Sequence, residues 1–280
     1  MDPAQPRTNP MSPVASGASA ELFAMEEGQE RGQGPRVLKL FRASVSDEMI
    51  AREAAASVHA GACGVPTAAA IGRHDRDGRR GLVYPRLDGT TLMAWIRKHP
   101  LRAAQAIDAM ARLHAVMHHA PGGELRSLQQ VLATDIAYGP APRALQQAAT
   151  AYLDTLPDGD TLTHGDLHLG NVMMTPKGLM VIDWSKAARG HPAADAVRSE
   201  MLMRFGAGPH DWITNLWRDW AARRLRRTYL SATTPVSAAD MARWRPVVAL
   251  AWLRARDAGR TPAFRRYLAR ALAGAGIRED

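Results

Sequence analysis

The chain is poor in cysteine, in lysine and in long apolar runs, and each shortage excludes something. Its single cysteine, Cys63, cannot close an internal disulfide. The fold must therefore stand on packing, as suits a reducing cytoplasm. The longest apolar run of note, Val247 to Leu253, falls far below the roughly 20 residues that cross a bilayer. The N-terminal stretch carries Pro3, Pro6, Pro10 and Pro13 and no apolar core of a signal peptide, which points away from secretion and toward a cytoplasmic protein. The 23 glycines and 18 prolines follow no fixed period, so a collagen-like chain is excluded, and 46% hydrophobic residues exclude a disordered one. A length of 280 residues suits one large domain or two lobes.

Lysine is the most informative shortage. Four lysines (Lys39, Lys98, Lys177, Lys186) stand against 32 arginines. A lysine inside the apolar segment Val37-Leu38-Lys39-Leu40-Phe41 asks for a chemical reason, because a compact ammonium on a thin stem enters sites that a guanidinium fork cannot. An edge strand with Lys39 facing water is the alternative. Charge is also unevenly placed. Residues 1–195 hold 20 basic and 20 acidic side chains, whereas residues 196–280 hold 16 and 7 and so carry the whole net charge of +9. The dense stretch Arg223, Arg224, Arg226, Arg227 reads as the solvated face of an amphipathic helix. Neither zinc-finger spacing nor an aromatic RNA-binding motif accompanies it, so no nucleic-acid partner is expected.

Residues 1–12 read as a flexible lead. Residues 13–88 read as a small β-sheet with one helix. Strands are expected over 20–25, 37–41, 68–73 and 81–87, a polar Gly-rich hairpin over 26–35, and a helix capped near Ser46 over 49–60. From residue 89 to 280 the pattern is helical, interrupted by one β island. Its strands are Leu162-Thr163, Val172 to Met174 and Leu179 to Ile182, with a turn at Thr175 to Gly178.

The island holds His164-Gly165-Asp166-Leu167-His168-Leu169-Gly170-Asn171 and then Val181-Ile182-Asp183-Trp184. Asp183 ends an apolar strand. A carboxylate with an amide oxygen makes a hard oxygen donor set suited to Mg²⁺, and a second carboxylate nearby can orient and deprotonate a hydroxyl. Phosphoryl transfer asks for that combination.

These segments resemble the catalytic and metal-binding motifs of the aminoglycoside phosphotransferase and choline kinase-like family, relatives of the protein kinases. Gly190-His191-Pro192-Ala193-Ala194-Asp195 resembles the family's next motif, and Ala111-Arg112-Leu113-His114 the helix before the catalytic region. Leu82 to Gly89 resembles its hinge, Val37 to Phe41 its third strand, and Glu53 the acid that pairs with the strand's lysine. The likeness runs in order over about residues 13–200.

The resemblance implies an α+β, bilobal, protein-kinase-like fold: a nucleotide-binding lobe over 13–88 with a five-stranded antiparallel sheet, and a catalytic and substrate-binding lobe over 89–280. It implies ATP (or GTP) and Mg²⁺ as cofactors and a small-molecule hydroxyl compound as the acceptor, with no membrane partner. Asp166 would be the base, and Asn171 and Asp183 would hold the metal. Lys39, paired with Glu53, would reach the α- and β-phosphates. The backbone of Val83, Tyr84, Pro85, Arg86 and Leu87 would receive the adenine. Gly17, Ala18 and Ser19, all small, would form the loop over the phosphates. Two departures are visible: the loop has one glycine, and Trp184-Ser185 stands where Phe-Gly or a second acid often follows the metal-binding Asp.

Two other readings compete: a catalytically silent binding module of the same fold, and a metal hydrolase using His164 and His168 of His-x-Asp-x-His. Asp195 is expected to brace the catalytic loop by accepting its backbone N–H groups. His114, His118 and His119 have no acid nearby in sequence and are expected to pack or face water. Trp212, Trp217, Trp220, Trp244 and Trp252 are expected mainly in the core. The positive C-terminal segment predicts a poor fit to polycationic acceptors.

Overall fold

The computed structural model describes residues 12–25, 34–208, 211–232, 236–255 and 261–278. The expected lead over 1–12 and the polar hairpin over 26–35 fall largely outside the described residues.

Period-two burial builds the small lobe. Strands β1 (Ala15–Ser16), β2 (Ala20–Met25) and β3 (Arg36–Phe41) are followed by helix α1 (Asp47–Ala62) and strands β4 (Gly72–Arg73) and β5 (Gly81–Pro85). They form one antiparallel sheet in the order β1-β2-β3-β5-β4. Along β3, Leu38 and Leu40 are buried with Val83 in one cluster. Phe41 and Leu82 pack with Val45 and Ile50 of the α1 side in another. Lys39 is paired with Leu82 in the sheet register. It therefore alternates onto the α1 side, not onto a water-facing edge. Helix α1 starts where expected: Ser46 Oγ accepts from Met49 N at 3.2 Å, and Asp47 and Glu48 occupy the first turn.

The large lobe opens with β6 (Thr90–Thr91) and α2 (Leu92–Lys98). Helices α3 (Ala103–Met117), α4 (Leu128–Ala137) and α5 (Arg143–Asp154) follow, and then strands β7 (Thr161–Thr163), β8 (Val172–Thr175), β9 (Gly178–Val181) and β10 (Ala188–Gly190). Helices α6 (Pro192–Phe205), α7 (Trp212–Ala232), α8 (Ala238–Trp252) and α9 (Pro262–Gly274) complete it. The β island forms two small sheets, β6-β8-β9 and β7-β10. Gly89 enters the first of these: a Cβ there would lie 2.2 Å from the Met174 carbonyl oxygen, so only glycine lets the chain cross from β5 to β6.

One core runs through α2 to α9, and Ala56, Ala60 and Val65 from the α1 end join it. Helix α1 thus packs on both lobes. Three expectations change. The strand over 68–73 shortens to Gly72–Arg73. Strand β10 was not foreseen; it forms because β7 supplies an antiparallel partner 25 or more residues away in sequence. Trp244 and Trp252 are buried, but Trp212 is 71% exposed and Trp220 is 38% exposed, since α7 presents that end outside the core.

Candidate active site

Lys39 is nearly enclosed, and its Nζ touches two carboxylates. It lies 2.6 Å from Glu53 Oε1 on α1 and 3.2 Å from Asp183 Oδ1 beyond β9. Burial works against the ammonium, but Asp183 and Glu53 outweigh it and hold its pKa above the ordinary lysine value. Asp183 feels the reverse: burial pushes it up, yet the Lys39 charge and hydrogen bond keep it below the usual carboxylate range. Burial wins at Glu53, whose pKa is raised despite Lys39. Tyr84 donates its phenol to Glu53 Oε1 at 2.8 Å, fixing the carboxylate from the β5 side.

Asp183 itself has φ of 64°. A left-handed aspartate is uncommon and strained, and the residue next to it is tied down. Trp184 is buried and donates Nε1–H to Thr67 Oγ1 at 2.8 Å, while the Thr67 hydroxyl donates to the Val181 carbonyl at 2.7 Å. Trp184 thereby ties this turn to the segment after α1.

Asp166 stands on the loop after β7. Its side chain is 18% exposed, and Lys186 donates to its Oδ2 at 3.0 Å. Gly165 makes this approach possible, with φ of 74° and a virtual Cβ 2.4 Å from the Lys186 carbonyl oxygen. Asn171 donates Nδ2–H to the Asp166 carbonyl at 3.0 Å, which leaves its amide oxygen free. That oxygen and the Asp183 carboxylate, about a third exposed (35%), are the hard donors that fit a divalent cation.

His164 and His168 are not placed as a metal pair. His164 Nδ1 accepts from Asp166 N at 3.2 Å and Nε2 donates to the Ile182 carbonyl at 3.0 Å. His168 Nδ1 accepts from Gly170 N at 2.9 Å. Both imidazoles shape the loop, and burial pushes both toward the neutral form. The metal-hydrolase reading loses its ligands.

Behind the loop, Asp195 is buried. Its Oδ2 accepts from His164 N at 2.8 Å and its Oδ1 from Gly165 N at 2.8 Å. His114 Nε2 at 3.0 Å and His118 Nε2 at 3.2 Å complete four bonds. Tyr229 lies 2.7 Å from His118 Nδ1. The expectation that these histidines lack an acid is corrected: Asp195 comes from α6, 77 and 81 residues away in sequence. The three residues cluster closely enough to hold a metal, but the carboxylate is saturated and both nitrogens of His118 are engaged, so the cluster is a hydrogen-bonded anchor.

The remaining expected site residues lie on the small lobe. Gly17, Ala18 and Ser19 form the β1–β2 hairpin turn, closed by Gly17 N to the Ala20 carbonyl at 2.9 Å, and Arg42 N donates to the Ser19 carbonyl at 2.8 Å. Val83, Tyr84 and Pro85 belong to β5; Arg86 and Leu87 follow it. The Arg86 N–H is taken by the Pro35 carbonyl at 2.8 Å. Lys186 was missed as a site residue. Its signal was rarity: it is one of four lysines, and two of the four line this site.

The phosphotransferase enzyme family (APH) matches residues 10–247. The chain belongs to this family. No curated protein matches it. Among solved structures it is similar to amicoumacin kinase hAmiN in complex with AMP-PNP, Ca²⁺ and Ami, at a TM-score of 0.58 and 15% identity over 95% of this chain and 87% of that one. It is also similar to an aminoglycoside-3'-phosphotransferase of type VIII (TM-score 0.54, 20% identity, 83% and 94% covered). A third is choline kinase from Cryptosporidium parvum Iowa II (TM-score 0.54, 12% identity, 95% and 87% covered). At these identities the likeness establishes the protein-kinase-like fold, and family membership makes the chain a small-molecule phosphotransferase. Among the described residues no helix is long and apolar enough to cross a membrane.

Proposed function

We propose that this phosphotransferase moves the γ-phosphoryl group of ATP (or GTP) to a hydroxyl of a small molecule, an antibiotic or a metabolite, in a Mg²⁺-dependent reaction. One observation carries the reading: Asp183 and Asp166 each hold a different lysine. Asp183 is tied into the Lys39–Glu53 pair, whereas Asp166 is tethered only to the half-exposed Lys186. One carboxylate is thereby committed to the nucleotide side and the other left for the acceptor. A silent binding module has no need of that division.

In this reading Lys39, held by Glu53, meets the α- and β-phosphates. Asp166 orients the acceptor hydroxyl and takes its proton as the oxygen attacks phosphorus and the diphosphate leaves. Lys186, beside Asp166, sits where a cation offsets charge on the transferred group. The Asn171 amide oxygen and the Asp183 carboxylate hold the metal, which when bound supplies charge neutralisation on the phosphates. The backbone of 83–87 receives the base, with the Arg86 N–H already engaged, and the Gly17–Ser19 turn covers the phosphates.

Asp183→Asn tests the assignment. It should weaken nucleotide binding and transfer together, roughly 100-fold or more in kcat/KM, and flatten the Mg²⁺ dependence of both. An unchanged Mg²⁺ titration in isothermal calorimetry with ADP rejects Asp183 as a ligand.

A further inference from the structure

Helices α6 to α9 surround an open cavity of about 830 Å³, and no residue of the candidate active site lines it. Every wall supplies arginine: Arg204 from α6, Arg226 from α7, Arg245 from α8, and Arg266 and Arg270 from α9. The only acids in the lining are Glu200 and Asp219. The side of α9 that faces the cavity is regular, since Ala263, Arg266, Tyr267, Arg270, Ala271 and Gly274 recur at helical spacing. Its alanines and glycine leave the space, and its arginines supply the charge.

Both acids are engaged within the walls. Asp219 holds Arg204 at 2.6 Å, and the buried Glu200 lies 3.3 Å from Arg245 and 3.6 Å from Arg226. Arg245 also donates Nε–H to the Tyr267 hydroxyl at 3.0 Å. Arg266 and Arg270 are exposed, stand one helical turn apart, and have no carboxylate partner among the described residues. Like charges at that spacing repel. Five guanidinium groups against two carboxylates leave an excess of three positive charges around one space. Arginines kept for solubility alone are dispersed over a surface among acids; here four helices bring theirs to a single concavity. What offsets such a field is an anion, and guanidinium forks pair with phosphate or carboxylate oxygens two at a time.

We propose that this cavity is a binding site for a small polyanion, a molecule with two or more phosphate or carboxylate groups, separate from the phosphotransfer cleft. Arg266 and Arg270 offer two unengaged forks for one anionic group. Arg226, held to Glu200 only at 3.6 Å, is the next available for a second. A single monovalent anion leaves most of the excess charge in place, so the charge balance favours more than one group on the ligand. The inference does not depend on the roles of Asp166 or Asp183.

The test is a calorimetric titration of the full chain, with and without saturating Mg²⁺-ADP, at constant ionic strength so that screening is the same throughout. The probes are fructose 1,6-bisphosphate and tricarballylate for paired phosphate and carboxylate groups, inorganic phosphate for a single group, and fructose as the neutral control. The expected result is that at least one polyanion binds tenfold or more tightly than inorganic phosphate and fructose, equally well with the nucleotide present. The better of the two tells phosphate from carboxylate. The double variant Arg266→Gln/Arg270→Gln changes two exposed side chains. It should weaken that binding tenfold or more while melting temperature and Mg²⁺-ADP affinity stay at wild type. Polyanions that bind less than tenfold better than inorganic phosphate, binding that Mg²⁺-ADP displaces, or binding that the double variant retains overturns the proposal. Binding of Mg²⁺-ADP to the wild type reports on the phosphotransfer reading separately.

Discussion

Two clusters of carboxylate and basic side chains flank the loop that carries Asp166, one in front and one behind, and they differ in how completely their hydrogen-bonding capacity is used. Behind the loop, Asp195 accepts four bonds, and His118 is engaged at both nitrogens. In front, the third-exposed carboxylate of Asp183 meets Lys39 at 3.2 Å, and the Asp166 carboxylate has only the Nζ of a half-exposed lysine. The same residue types thus serve opposite ends. A saturated cluster is a structural anchor, since any change to it orphans a buried group. An unsaturated one can exchange partners, as binding and proton transfer require. Gly165 and His164 join the two: their N–H groups bond Asp195, and the next residue is Asp166.

The widest test of this contrast is Asp166→Ala. If the front cluster works by its open valences, loss of this carboxylate should reduce phosphoryl transfer by about 10²–10⁴-fold. Nucleotide affinity and melting temperature should stay near wild type, because no fold-holding bond ends on the side chain. Steady-state assay and ADP calorimetry on the same preparation check it. Turnover within tenfold of wild type removes Asp166 from the role of base.

The rear cluster should instead show itself in stability against pH. Burial holds His118 neutral, with its pKa lowered to about 4 from 6.5. Between those values the unfolded chain binds a proton that the folded chain refuses, so stability is complete above pH 6.5 and falls as the pH drops toward 4. Asp195 is held well below the ordinary carboxylate value by the two histidines despite burial, so its contribution is lost only below that range. At about 1.4 kcal/mol per pH unit, His118 alone accounts for roughly 2 kcal/mol between pH 6.5 and 5. His118→Gln keeps a donor toward Asp195 and removes the titration. Its urea-unfolding profile should be lower at pH 7 and flatter down to pH 5; a slope equal to wild type assigns the acid loss to other groups.

Legibility in the sequence divides along the same line. Most of the front cluster could be read because its members stand in short motifs: Asp166 and Asn171 five residues apart, Asp183 after an apolar strand, and Lys39 as a rare residue in a strand; Glu53 came through the resemblance, as the acid of the first helix that pairs with the strand's lysine. The brace from Asp195 to the loop was likewise legible. The histidine half of the rear cluster was not, because α3 and α6 meet only in the packed core and no local period records which helices become neighbours. Tyr84 illustrates the same limit from the front: a hinge residue by motif, it is by contact a support for Glu53. Lys186 was hidden because nothing in Ser185-Lys186-Ala187 shows that Gly165 brings Asp166 against it.

The smallest expected effect lies at the seam between the clusters. Trp184 follows the strained Asp183, packs its ring 4.9 Å from that of His164, and donates to Thr67. It therefore touches the front site through its neighbour and the rear anchor through the histidine. Trp184→Phe keeps an aromatic ring in the core but leaves the Thr67 hydroxyl without its donor. The lost hydrogen bond should cost about 1 kcal/mol of stability, with a further contribution from the smaller ring. The informative part is kinetic. If the indole merely fills space, Mg²⁺ and nucleotide affinities will be unchanged. If it holds Asp183 in the left-handed conformation, loosening it lets the turn relax. The KM for Mg²⁺-ATP should then rise about 3- to 10-fold, as expected for less than about 1.4 kcal/mol of lost preorganisation, while the pH profile set by His118 stays as it was. Comparing the KM shift with the melting shift in this one variant separates the two: a melting shift alone makes Trp184 part of the anchor, and a KM shift alongside it makes the residue the link by which the satisfied cluster positions the unsatisfied one.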